Sequence, residues 1–167
     1  MSTARPSSTN FLRAAIVTVP VILGIGFLMG QLSNSGYGNA WFDALAKPAA
    51  MPPGWAFGAA WSLLYVLIGI AVAMIWAAPP SRERSNGLAL FAVQLLLNFS
   101  WSPLFFSLHQ VVAALLTLVA ILALSAAATA AFARVRYAAA WLMVPYLAWL
   151  SFACFLNFEI WRLNPGG

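Results

Sequence analysis

Charge is scarce in this chain, and acidic charge most of all. Only 7% of its 167 residues are charged and three are acidic, against roughly a quarter charged in an average soluble domain. So few charges cannot cover a surface that faces water, and the bilayer is the solvent that fits. Histidine and cysteine are nearly missing, at one each. A lone Cys154 inside an apolar run cannot close an internal disulfide and leaves the redox compartment unreadable. There is no H-E-x-x-H, C-x-x-C, glycine-rich phosphate loop or Ser/His/Asp set. His109 falls in a tight turn, where a haem ligand is not expected. No catalytic residue and no metal ligand is assigned, and no cofactor is required. The net charge of +5 would admit nucleic acid, but the basic residues stand singly or in pairs, with no basic run or face, which argues against that partner.

What is present is apolar: 63% of the chain. Five stretches reach the ~20 residues that cross a hydrocarbon core of about 30 Å. They run from Ala14 to Leu32, Trp55 to Ala78, Leu88 to Leu108, Val111 to Ala133 and Ala138 to Trp161. They are too long for barrel strands, and a span must satisfy its own backbone in lipid, so helices follow. The expected fold is all-α, an integral membrane bundle of five transmembrane helices occupying residues 14–162. Residues 1–13 form a polar tail before it and 163–167 a short tail after it. The first span has the basic flank and apolar run of a signal peptide. No convincing small-residue cleavage site follows, so it is read as a retained helix.

The connections differ in kind. The third and fourth, around His109 and from Arg134 to Tyr137, are tight turns, and PPSRERSNG forms an ordinary polar loop. The first, residues 33–54, is long and carries Trp41, Phe42, Lys47 and three prolines. Long loops of that kind tend to be functional, and this one is expected to lie as a lid over the helix ends. The tail, second loop and fourth loop hold six arginines, whereas the other side holds only Lys47 and Arg162. The positive-inside rule then puts the amino terminus in the cytoplasm of a bacterial inner membrane and the long loop outside. In an outer membrane the rule would not apply.

Eight tryptophans need a reason. Trp55, Trp76, Trp141 and Trp161 lie near span ends, where an interfacial belt accounts for them. Trp61, Trp101 and Trp149 lie inside their spans. Trp61 is roughly 9 Å below the outer end of the second span by helical rise; Trp101 is about as deep in the third, and Trp149 is near the middle of the fifth. Polar groups accompany them. Gln94, Asn98 and Ser102 share one face of the third span, Tyr146, Trp149, Ala153 and Asn157 form a stripe on the fifth, and Tyr65 stands one turn from Trp61. Simple interhelical hydrogen bonding is an equal reading for Gln94, Asn98 and Asn157, and core packing is an alternative for the indoles. Three indoles converging with amides and hydroxyls suit a cavity for a large flat ligand. Lys47 is open between meeting a ligand carboxylate and pairing with Asp43, four residues earlier. Gly26 and Gly30, and Gly69 and Ala73, have the spacing of close helix packing, within the chain rather than between chains. Pro20, Pro103 and Pro145 are expected to kink their helices. Glu159 is the only formal charge within the spans, which argues against an ion-driven pump.

Three segments carry a resemblance. WFDALAKPAAMPPGWAF, from Trp41 to Phe57, leads into WSLLY at Trp61; QLLLNFSWSPLFF runs from Gln94 to Phe106; VPYLAW starts at Val144 and LNFEIWRLN at Leu156. In this order the chain resembles a bacterial member of the TspO/MBR family, over nearly everything after residue 14. The resemblance implies a compact five-helix bundle, usually a homodimer, that binds porphyrins such as protoporphyrin IX and haem. It also implies affinity for isoquinoline carboxamides and benzodiazepine-like drugs, and for cholesterol in animal members. Carried onto matching positions, the pocket comprises Phe42, Pro52, Trp61, Trp101, Ser102, Trp149 and Ala153, with Asn98 nearby. Lys47, Tyr65 and Tyr146 join the site from the reading of the spans and loop. Phe42 stands where many members have tyrosine, and Phe158 where the sterol motif needs one, so dependence on sterol is not expected. The leading function is a receptor or transporter for tetrapyrroles. The alternatives are light- and oxygen-dependent porphyrin degradation in the same pocket, and a structural role toward a partner in the membrane.

Overall fold

The computed structural model describes residues 8–165. Helix α1 spans Ser8–Leu32, a short α2 spans Ala40–Ala44, α3 spans Gly54–Trp76 and α4 spans Arg82–Ser102. A π-helical turn, Pro103–Ser107, prolongs α4, and α5 (Val111–Val135) and α6 (Tyr137–Leu163) follow. There is no strand among the described residues. Five of the helices, α1, α3, α4, α5 and α6, are long and apolar enough to cross a membrane, so the chain is an integral multi-pass membrane protein.

Two helix starts precede the apolar runs that announce them. Helix α1 begins at Ser8, so residues 8–13 of the expected polar tail are helical, while residues 1–7 lie outside the described residues. Helix α4 begins at Arg82, six residues before Leu88, because Ser81 accepts a hydrogen bond from the Arg84 N–H and Glu83 occupies the first turn. Hydropathy marks where lipid begins; a cap marks where the helix begins. Arg84 then turns back, its Nε donating to the Ile75 carbonyl at 3.2 Å and its Nη2 to the Trp76 carbonyl at 2.8 Å, which closes the end of α3.

The helices form a ring in which α1 lies on α3, α3 on α6, α6 on α5 and α5 on α4, with thin contact between α4 and α1. Small residues set the closest approach. A Cβ on Gly69 would stand 2.9 Å from the Cα of Val19, and the Thr18 hydroxyl donates to the Gly69 carbonyl at 2.8 Å. Pro20 and Pro145 lie within continuous helices. Pro103 has the larger local effect. It brings no N–H to the ladder, and the next residues take wider turns, with the Leu108 N–H reaching the Pro103 carbonyl at 3.0 Å. The extra residue in the turn buries both Phe105 and Phe106.

Those two rings form the seat for the first loop. Phe42 on α2 is 4% exposed and lies edge-on to Phe105 and Phe106, with centroids 6.2 and 5.3 Å away. Trp41 stacks on His109 at 4.2 Å. Asn39 caps α2 and donates from Nδ2 to the Phe106 carbonyl at 3.4 Å. At the far end, the Ala46 N–H donates to Asn164 Oδ1 at 2.9 Å, and Asn164 Nδ2 returns a bond to the Ala46 carbonyl at 3.0 Å. The loop is a folded strap, tied to the α4–α5 turn and to the end of α6.

Candidate functional site

Beneath this strap lies a cavity of about 320 Å³, at the lower end of the 300–1,000 Å³ common for small-molecule sites. It is bordered by the loop end of α1, the first half of α3, the last turns of α4 with its π turn, Leu118 of α5 and the second half of α6. The expected site residues Phe42, Trp61, Tyr65, Asn98, Trp101, Ser102, Trp149 and Ala153 all line it.

The aromatic walls differ in how they are held. On one side, Trp61 lies 5.0 Å from Tyr65 and 6.5 Å, edge-on, from Trp149, which in turn meets Phe57 at 5.9 Å. On the other, Trp101 stacks on Phe105 at 5.1 Å and donates from Nε1 to Asn157 Oδ1 at 3.3 Å. Asn157 is itself tied to the Val111 carbonyl at 3.0 Å. Trp101 is therefore fixed by a polar anchor. Among the described residues, the indole N–H groups of Trp61 and Trp149 have no hydrogen-bond acceptor. Trp55, Trp76, Trp141 and Trp161 are instead between 45% and 76% exposed, as a belt requires.

The floor is polar. Tyr65 Oη donates to Asn98 Oδ1 at 3.0 Å, Asn98 Nδ2 donates to Tyr146 Oη at 3.0 Å, and Tyr146 Oη donates to Gln94 Oε1 at 2.8 Å. Ser125 on α5 adds a bond to the same Gln94 oxygen at 3.1 Å. The chain thus ties α3, α4, α5 and α6 together at mid-membrane. Asn98 bonds between helices and also faces the cavity. Gln94 lies behind the floor, and its Nε2 is the one buried side-chain donor without an acceptor among the described residues.

Three expected site residues are elsewhere. Tyr146 is fully buried one layer behind the wall, as a member of the network. Pro52 lies in the strap, where its carbonyl accepts from the Tyr37 hydroxyl at 3.3 Å. Lys47 does not line the cavity; its Nζ donates to the carbonyls of Asp43 and Leu45 at 3.1 Å each and sits 4.7 Å from the Phe42 ring centroid. Nor does it pair with the Asp43 carboxylate, which accepts the Gly38 N–H at 3.0 Å. The ammonium is satisfied by the carbonyls at the end of α2.

Other lining residues carry weaker signals. Asn157 stood on the stripe with Trp149 and Ala153, and that spacing points to it. Phe57 and Phe105 belong to apolar stretches without a distinguishing pattern. Gly30 and Gly58 contribute empty space: a Cβ on either meets nothing within 4 Å. Both glycines of the α1 G-x-x-x-G border the cavity, but Gly26 also packs against Tyr65, whereas a Cβ on Gly30 meets nothing.

A sequence profile of the TspO/MBR family matches residues 16–162. Protein CrtK of Rhodobacter capsulatus is 43% identical over 130 residues, covering 77% of this chain and 81% of that protein. Tryptophan-rich protein TspO of Chlorobaculum tepidum is 36% identical over 148 residues, 88% and 93% of the two chains. The translocator protein of Homo sapiens is 36% identical over 144 residues, 85% of each.

Proposed function

Since this chain belongs to the TspO/MBR family of membrane proteins, we propose that it is a receptor or transporter-like protein that binds a porphyrin, protoporphyrin IX or haem, in the cavity under the first loop. The observation that carries this reading is the convergence of Trp61, Trp101 and Trp149 on one cavity that no charged side chain lines. A porphyrin is a broad, flat, apolar ring system with carboxylates on one edge. Aromatic walls suit its faces. Gln31, Asn34 and Ser35 at the loop end supply polar groups for its carboxylate edge. We read the loop end as the outer face of a bacterial inner membrane, supported by the arginines gathered at the opposite end.

Quenching of tryptophan fluorescence by protoporphyrin IX tests the reading on purified protein. Saturable quenching at micromolar concentration or tighter is expected. Replacing Trp149 by Phe weakens binding several-fold, and replacing the belt residue Trp76 by Phe does not. Equal effects of the two replacements, or no saturable quenching in the parent protein, refute the site.

A further inference from the structure

We propose that the cavity is reached sideways from the bilayer, through a port between α3 and α6 that the Trp149 indole closes. The proposal rests on reading the cavity as a ligand site, but the test below uses no porphyrin. Its basis is a shared wall. A second, apolar groove runs along the outside of the bundle where α3 meets α6, lined by Ala60 and Leu63 on one helix and by Pro145, Ala148, Trp149 and Phe152 on the other. Of the residues around the two spaces, only Trp149 borders both. At this wall a single side chain separates the two spaces.

The groove commits to one class of visitor. Leu63 is 59% exposed and Ala148 is also exposed, and both sit near the middle of membrane-length helices. Only molecules dissolved in hydrocarbon reach that depth, and the groove residues carry no charge. The visitor is therefore the flat, apolar kind of molecule that the aromatic cavity itself suits.

Trp149 is also held by ring contacts alone. Its ring makes edge contacts at 5.8 to 6.5 Å with Phe152, Phe57 and Trp61, and no hydrogen bond fixes its N–H among the described residues. Trp101, by contrast, is pinned to Asn157. The methyl side chains of Ala60 and Ala148 leave space beside the indole. Pro145, four residues earlier, brings no N–H to the Trp141 carbonyl, which loosens α6 locally. A swing of the indole into the groove thus breaks no polar contact. Lifting the strap off the bundle would instead undo the Ala46–Asn164 pair, the Trp41–His109 stack and the bond from Asn39 to the Phe106 carbonyl.

The test places a thiol inside the cavity by Ser102→Cys in a Cys154→Ala background, in lipid nanodiscs. The probe is N-(1-pyrenyl)maleimide, which partitions into the bilayer. Ala148→Trp fills the groove and is expected to slow labelling at least tenfold; Trp149→Ala removes the gate and speeds it by a similar factor. Leu116→Trp, at a lipid-facing position on α5 that is 66% exposed, leaves the rate unchanged. Labelling of the groove-filled protein at the parent rate overturns the port, and so does a Trp149→Ala protein that labels no faster. If Ala148→Trp does not fold, Trp149→Ala decides alone. Labelling by a charged, membrane-impermeant maleimide that outpaces the pyrenyl reagent also overturns it, in favour of access under the strap. Absence of porphyrin quenching bears on the proposed ligand and leaves these rates to speak for the route.

Discussion

Gly26 is where packing and cavity shape meet, and Gly26→Ala measures the link. A Cβ at this position stands 2.2 Å from Cε2 and 2.5 Å from Cζ of Tyr65. Carbon atoms rest comfortably at about 3.5–4.0 Å, so the ring must retreat by more than about 1 Å. The end of a side chain often yields cheaply, but this ring lies 5.0 Å from Trp61 and 6.4 Å from Phe99, and its hydroxyl is 3.0 Å from Asn98. Retreat breaks that bond and pushes the ring along the cavity wall. Overpacking costs about 1–3 kcal/mol and an interhelical hydrogen bond in a membrane is worth about 0.6 kcal/mol. Against these, replacing a mid-helix glycine by alanine gains roughly 0.5–1 kcal/mol. The expected net loss is about 0.6–3 kcal/mol. In a Tyr65→Leu background the ring is gone, and Gly26→Ala should stabilise by roughly 0.5–1 kcal/mol. Tyr65→Phe retains both clashing carbons, so the loss should remain. Equilibrium unfolding in mixed micelles, followed by circular dichroism, gives all of these differences. An effect of the same sign in the Tyr65 and Leu backgrounds refutes the reasoning. A change of oligomeric state at unchanged stability would instead make Gly26 a contact between chains.

Gly30→Leu offers the opposite case: with nothing within 4 Å of its Cβ, the side chain should enter the cavity and weaken protoporphyrin IX binding at least tenfold while thermal stability holds, and unchanged affinity would refute that placement. Asn164→Ala removes two hydrogen bonds to Ala46, each worth about 1 kcal/mol; the loop should become several-fold more sensitive to limited proteolysis, and an unchanged cleavage rate would show the strap held by its aromatic seat alone. Cysteines at the exposed positions Ser35 and Ser85, in a Cys154→Ala background, should react with an impermeant thiol reagent from opposite faces of the membrane, Ser35→Cys from outside. Labelling of both from one face would refute the single crossing by α3 between them.

The membrane fold was legible because hydrocarbon imposes a simple demand. Five apolar runs of spanning length follow from where lipid must be faced, whatever the tertiary arrangement. The division of tryptophans was legible for the same reason: distance from a span end estimates depth, and depth separates belt from interior. The stripe Gln94, Asn98 and Ser102 was visible because helical period brings such residues to one face. Helix starts were less legible, since the polar first turns of α1 and α4 carry no hydropathy signal.

Tertiary structure alone decided what each of those faces meets. Period puts Gly26 and Gly30 on one side of α1, but only the packing of α3 against α1 makes one a contact for Tyr65 and leaves the other beside empty space. Spacing offered Lys47 a carboxylate on either a ligand or Asp43, and the folded strap gave it two backbone carbonyls instead. Tyr146 shares a stripe with Trp149 and Ala153, yet the packing of α6 between α3 and α5 turns its hydroxyl away from the cavity and into a network with Gln94 and Asn98. A single chain's sequence orders residues along one helix; the emptiness of a cavity, and the partner of each polar group around it, are properties of several helices at once.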